Sequence, residues 1–247
     1  MSTLTDRQSQ ILIALIEAYV KTAKPIGSLD LKESADFSFS PATLRNEMNE
    51  LEKMGYLYQP HISAGRVPTD KGYRFFVDYI TDKQLNRMQI EEEKRLKSEL
   101  LKIKAREKML ARTLAKLMSA FSNNMAIAGL IEEKSFFESG IKQLVSQPDF
   151  QNIDEICQIA EVLDYMDENI DILNAKLKES QINTFIGEEN IFKGSTGCSI
   201  IISRCTMPEG EEGIVAILGP KRMEYKKNIS IVENVVKFLK EGEERED

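Results

Sequence analysis

Apolar residues at Ile11, Leu12, Leu15, Ile16, Tyr19 and Val20 recur at the three- and four-residue spacing of a helix with one buried face, and Thr5 and Gln8 stand ahead of them in capping-box spacing. Lys24-Pro25 ends this helix, because a residue before proline is steered away from helical geometry. A short helix is predicted from Ser28 to Ser34, with Leu29 and Leu31 inside. Ser40-Pro41 marks the next start, since a serine N-cap accepts an orphan amide hydrogen and a proline at the first helical position has none to leave unpaired. Over the helix from Pro41 to Met54, about 100° of rotation per residue puts Leu44, Met48 and Leu51 on one side and Ala42, Arg45, Asn46, Asn49 and Lys53 on the other. After Gly55, the alternation Tyr56-Leu57-Tyr58-Gln59 predicts a strand, Pro60 and Pro68 bracket a tip Ile62-Ser63-Ala64-Gly65, and the chain returns at Arg66-Val67. Thr69 caps a further helix bearing Tyr73, Phe76, Val77 and Ile80. Three helices and a hairpin in this order predict a winged helix-turn-helix over residues 1–80.

From Lys83 to Phe121 there is no glycine or proline, and Leu96, Leu100, Ile103, Glu107, Leu110, Leu114, Leu117 and Phe121 alternate in steps of four and three. This predicts a long connecting helix over 81–124 that either packs on its own domain or forms a dimer seam, with Glu107 as an interruption. Beyond a break at Ser122-Asn123-Asn124, helices are predicted at Phe136 to Val145 and Ile153 to Leu177, separated by Gln147-Pro148. The period then changes. Ile182 to Ile186, Cys198 to Arg204 and Gly213 to Leu218 read as strands, and Met223 to Lys240 as a helix with Ile229, Val232, Val235, Val236 and Leu239 inside. The fold class is therefore α+β and mostly helical, with a small antiparallel sheet in a C-terminal domain over 125–247.

Composition fits that picture: 247 residues, 42% apolar and 30% charged, suit a globular protein with a real core. Glu17 interrupts the longest apolar run, Ile11 to Val20, which is too short to span a bilayer, and no leader is evident, so a cytoplasmic location is expected. Cys157, Cys198 and Cys205 form no CxxC pair and there is one histidine, so neither a metal site nor a cofactor is expected and the thiols are read as reduced and partly buried. The net charge of −7 argues against nucleic acid until the charges are located. From Lys53 to Arg74 the cations Lys53, Arg66, Lys71 and Arg74, with a titratable His61, face a single Asp70, while acids gather at Glu91 to Glu93 and Glu241 to Asp247. Residues 1–80 as a whole are near neutral, so a binding face would be a local patch.

Arginine matches the acceptors of guanine and asparagine the donor and acceptor of adenine, which makes Arg45, Asn46 and Asn49 the candidate base readers, with Ser40 and Thr43 at the same helix start. In the wing, Ser63, Ala64 and Gly65 permit close backbone approach, and Arg66 is expected to reach phosphate or a narrow minor groove. His61 either contacts the nucleic acid or packs the turn. Lys71 and Arg74 extend the basic patch into the next helix. The rival class is a protein-interaction module or ligand-sensing regulator, for which the same helix face is merely solvated. Gly219-Pro-Lys-Arg222 lacks the spacing of a phosphate loop and reads as a structural turn. No nucleophile and base are paired, so no catalysis is expected.

The run Gly55 to Arg74, with Pro60-His-Ile-Ser-Ala-Gly-Arg-Val-Pro-Thr69 at its centre, together with Leu4-Thr-Asp-Arg-Gln8 and Ser40-Pro-Ala-Thr-Leu-Arg-Asn-Glu-Met48, resembles the N-terminal domain of the HrcA family of heat-inducible transcription repressors. Gln147-Pro-Asp-Phe150, Ile186-Gly-Glu-Glu-Asn190 and Gly219-Pro-Lys-Arg-Met-Glu-Tyr225 resemble its C-terminal segments. The resemblance implies a homodimer that binds double-stranded DNA at an inverted-repeat operator upstream of chaperone genes, releases it on heat stress and depends on the chaperonin. It also implies a GAF-like C-terminal domain. One departure accompanies it: between Ala128 and Phe136 the family pattern calls for a long block, with further strands and an inserted dimerisation domain, that this chain omits. A GAF-like remnant with a small sheet is the expected result.

Overall fold

A computed structural model describes residues 4–35, 37–85, 87–103, 109–150, 152, 157, 159–160, 177, 181–190, 195–207 and 210–243, which form two units, Met1–Lys83 and Gln84–Asp247. In the first, α1 (Asp6–Thr22) starts in a complete capping box. Thr5 Oγ1 accepts from the Gln8 amide at 3.2 Å, and the Thr5 amide donates to Gln8 Oε1 at 3.1 Å. It ends at Ala23, left-handed at φ 53°, just before Lys24-Pro25. Then follow α2 (Ser28–Ala35), α3 (Pro41–Lys53), β1 (Leu57–Tyr58), β2 (Val67–Pro68) and α4 (Asp70–Asp82). The predicted apolar stripes meet in one core of Ile11, Leu12, Leu15, Ile16, Leu31, Leu44, Met48, Leu51, Phe76 and Ile80. Leu29 is a correction: it is 61% exposed, because an eight-residue helix buries only the one turn that carries Leu31.

β1 and β2 pair antiparallel, Leu57 with Pro68 and Tyr58 with Val67. Arg66 also exchanges two backbone hydrogen bonds with Ile26, at 2.9 and 2.8 Å, so the returning limb of the wing is held on both sides. Gly65 permits this approach, since a Cβ there would collide with the Ile26 carbonyl.

The second unit contains α5 (Ile90–Leu100), α6 (Leu110–Ser122), β3 (Met125–Leu130), β4 (Ser135–Ser139), α7 (Ile141–Val145), β5 (Ile182–Ile186), β6 (Cys198–Thr206), β7 (Glu212–Pro220) and α8 (Tyr225–Glu243). The strands form an antiparallel sheet in the order β4-β3-β7-β6-β5. One face packs Ile127, Ile200, Ile202 and Ala216 against Leu144, Phe150, Ile159 and Leu177. The sheet also packs against α6 and α8.

Three expectations change here. The continuous seam is two helices: the chain turns at Leu101 to Ile103, and Leu96, Leu100, Leu110 and Leu114 are buried within this unit, where α5 and α6 pack on α8. Glu107 lies outside the described residues. Phe136 to Ser139 is a strand rather than helix, because Phe136 and Phe137 pair with Gly129 and Ala128 of β3, and Gly129 leaves the room that the Phe136 ring occupies. The sheet consequently has five strands among the described residues, two more than predicted. Most of the helix expected at Ile153 to Leu177 lies outside the described residues.

The segments that carried the C-terminal resemblance prove to be joints. Arg222 Nε donates to both carboxylate oxygens of Asp149 at 3.1 and 2.8 Å, and its Nη2 donates to Gln147 Oε1 at 3.1 Å, locking the turn after β7 onto the Gln147 to Phe150 segment. Tyr225 Oη donates to the Lys221 carbonyl at 2.6 Å and lies 2.7 Å from Ser199 Oγ, while Asn190 Nδ2 donates to the Cys198 carbonyl at 2.9 Å. The structural reading of Lys221 and Arg222 is therefore favoured.

All three cysteines are free, but Cys157 is exposed, against expectation, whereas Cys198 and Cys205 are buried. Burial pushes the Cys205 thiol up to about 12, so it stays protonated at neutral pH. Ellman titration of the native chain at pH 8 should accordingly show one fast thiol, and all three only after unfolding. A second fast thiol would contradict the packing of the sheet.

Candidate nucleic-acid interface

With Leu44, Met48 and Leu51 in the core, α3 turns its other side outward. Its start is built by Ser40, whose Oγ accepts from the Thr43 amide at 3.1 Å and lies 2.9 Å from Thr43 Oγ1. Arg45 and Asn46 are exposed, and neither side chain has a hydrogen-bond or ion-pair partner among the described residues. The carboxylates of the same helix are all paired: Glu47 with Arg7 at 3.2 Å, Glu50 with Lys53 at 2.8 Å and Glu52 with Arg66 at 2.9 Å. Compensation of the acids leaves Arg45 as the uncompensated charge of the helix, which explains how a near-neutral domain can carry a cationic spot.

The wing tip is organised by a residue that sequence reasoning missed. Gln59 Nε2 donates to the carbonyls of Ile62 at 3.0 Å and Ala64 at 2.7 Å, and the Ala64 amide donates to the His61 carbonyl at 2.8 Å. His61 Nδ1 lies 3.2 Å from Ser63 Oγ, so the imidazole takes part in the turn. Ile62, at the tip, is 98% exposed. Between α3, the start of α2 and the wing lies a cleft of about 520 Å³ whose walls include Arg45, Asn49, Gln59, Ser63 and Arg66.

Arg66 is not where its type suggested. Its side chain is only 14% exposed, Nε donates to Glu52 Oε2 at 2.9 Å, and Nη2 donates to Asn49 Oδ1 at 2.6 Å. It braces the wing against α3 instead of projecting from it. No local spacing reveals partners 14 and 17 residues apart, and only the hairpin's fold-back brings them together. Lys71 Nζ donates to the Met54 carbonyl at 2.7 Å and sits 4.3 Å from the centre of the Tyr56 ring, so it closes the C-terminal end of α3. Arg74 pairs with Asp78 at 3.4 Å. Of the ten candidates, Arg45, Asn49, Ser63 and Arg66 share the cleft, Asn46 lies beside them on α3, His61 joins Ser63 at the tip, Ser40 and Thr43 build the helix start, and Lys71 and Arg74 belong to α4.

A helix pair, an outward helix face on which Arg45 and Asn46 have no partner among the described residues, and a braced hairpin define a winged helix-turn-helix protein, the class whose exposed helix and wing address a DNA duplex. Family models agree over both units. Residues 3–79 match the winged helix-turn-helix transcription repressor, HrcA DNA-binding domain, and residues 70–229 match the HrcA protein C-terminal domain. The chain belongs to the HrcA family of transcription repressors. The heat-inducible transcription repressor HrcA of Halalkalibacterium halodurans is 28% identical, with 96% of each chain covered, and that of Brevibacillus brevis 27% identical over 96% of this chain and 97% of its own. These alignments run over 335 and 332 positions, more than the 247 residues present here, so the relatives carry residues with no counterpart in this chain. A crystal structure of a hypothetical protein shares the fold, with a TM-score of 0.79 at 18% identity over 97% of this chain and 98% of that one.

Proposed function

We propose that two copies of this repressor bind an inverted-repeat operator upstream of chaperone genes, α3 of each lying in a major groove and each wing alongside the flanking backbone. The observation that carries this reading is the outward face of α3, where Arg45 and Asn46 are exposed without partners while Glu47, Glu50 and Glu52 are neutralised. Such a face is ready to exchange water for base edges without first breaking contacts of its own. Joining the two copies falls to the Gln84–Asp247 unit, which would set the two helices one DNA turn, or a multiple of it, apart. Release on heating, dependence on the chaperonin and action in the cytoplasm follow from the family reading; among the described residues no helix is long and apolar enough to cross a membrane.

A gel-shift titration of an inverted-repeat duplex against a scrambled one, at several salt concentrations and with and without heating, tests the proposal. Affinity should fall steeply with salt, as counterion release requires. Arg45→Ala should weaken specific binding by about 1–3 kcal/mol and relax the preference at one position of each half-site. Binding that ignores both salt and Arg45 would favour the protein-interaction reading.

A further inference from the structure

The Arg66 brace also sets what Asn49 can say to a base. A guanidinium only donates, so the Asn49 atom 2.6 Å from Arg66 Nη2 has to be the amide oxygen, and the orientation of this amide is fixed by chemistry. Arg66 has little freedom to turn away. Its Nε is held by Glu52 at 2.9 Å, its side chain is 14% exposed, and its backbone is tied to Ile26 through two hydrogen bonds. Asn49 Oδ1 is thereby turned toward the wing, and Nδ2, with two hydrogens, has no partner among the described residues. Asn49 lines the cleft together with Arg45, one helical turn away on the same face.

We propose that Asn49 reads DNA as a donor alone, selecting a base whose major-groove edge offers acceptors, N7 and O6 of guanine or O4 of thymine. The bidentate adenine contact usual for asparagine, expected from residue type, requires Oδ1 to accept from the adenine amino group, and here one of its two lone pairs is taken by Arg66, so an amino group bonding the other would be crowded against a cationic donor. Cytosine would instead set an amino group against the Asn49 donors, and adenine offers N7 but with its amino group beside it, where guanine has a second acceptor. Arg66 is thus a positioning residue that determines specificity through Asn49. This inference rests on the DNA-binding reading and refines one residue of it.

The test is selection from a randomised duplex library with the full chain, followed by affinity measurements on single-base variants of the selected site. Wild type should prefer guanine or thymine over adenine by about tenfold at one position per half-site, and Asn49→Ala should abolish that preference. Asn49→Asp keeps an oxygen for Arg66 but turns an acceptor outward, so the preference at that position should move to cytosine, whose N4 donates. Both variants alter a surface side chain, and unchanged thermal unfolding would confirm that they fold. Selection of adenine, with an equally large loss when adenine is replaced by purine lacking the 6-amino group, would overturn the inference while leaving DNA binding intact. So would an unchanged preference in Asn49→Ala. Failure of the wild type to enrich any sequence would overturn the DNA-binding reading itself, and this inference with it.

Discussion

Replacing Arg66 by alanine together with Glu52 by glutamine, which removes the ion pair without changing net charge, should weaken operator binding by about 10- to 100-fold while leaving its salt dependence unaltered, the pattern of a lost brace and not of a lost phosphate contact. A side chain that neutralises a phosphate releases about one counterion, and its removal flattens the plot of log affinity against log salt by about one unit. Arg66 is largely covered and already neutralised by Glu52, so it has no counterion to release. What alanine removes is the tie from the wing to α3 at both Glu52 and Asn49. In Arg66→Ala alone, Glu52 is left unpaired on α3, where it repels an approaching backbone and changes the salt dependence by itself, so the slope is read on the double variant. With side chains 14% and 34% exposed, the pair lies between a surface bridge and a buried one, and its loss should lower unfolding stability by about 1–2 kcal/mol. Fluorescence anisotropy over a potassium chloride series reads both affinity and slope. A slope reduced by a full unit would return Arg66 to the DNA backbone. Adding Glu52→Gln to Arg66→Ala should recover part of the affinity, because the unpaired charge disappears.

Leu114→Glu should unfold the Gln84–Asp247 unit rather than separate two subunits. On sequence alone Leu114 belongs to a seam that could join two copies, but in the structure it is fully buried on α6, whose partners are β3, β4 and α8 of the same unit. The substitution removes an apolar side chain from a close-packed site and puts a carboxylate there without a cation, at a cost above about 4 kcal/mol. That is comparable with the whole stability of a domain. Hydrogen exchange read by mass spectrometry should show amides of β3, β6 and β7 losing protection, while those of α1 and α3 keep theirs. A variant that keeps its protected sheet and only changes sedimentation would restore the seam as a subunit interface.

Local signals wrote much of the first unit. The Thr5 and Gln8 capping box, the Ser40-Pro41 start, the Thr69 cap and the stripe of Leu44, Met48 and Leu51 each act within about one or two helical turns, a range that spacing alone reports. The same signals failed where pairing is distant. Met125 to Leu130, with its alanines and glycine, carries little strand preference, and becomes a strand because β4 and β7 flank it. Phe136 and Phe137 suit either helix or strand, and Gly129 and Ala128 decide for the strand. The seam from Leu96 to Leu114 was legible as apolar spacing, but the turn at Leu101 to Ile103 and the surface it buries against were not.

The candidate site divides along the same line. That α3 starts at Pro41 and turns Arg45 and Asn46 outward was determined by the order of apolar and polar residues, because a helix with one buried stripe must expose the other face. Whether an outward group remains available was decided only by tertiary structure. Arg45 meets no partner among the described residues, whereas Arg66 meets Glu52 and Asn49, and Lys71 meets the Met54 carbonyl. Residue type sets what a side chain can donate or accept, but the fold-back of the wing over α3 determines which of those bonds are already made before DNA arrives.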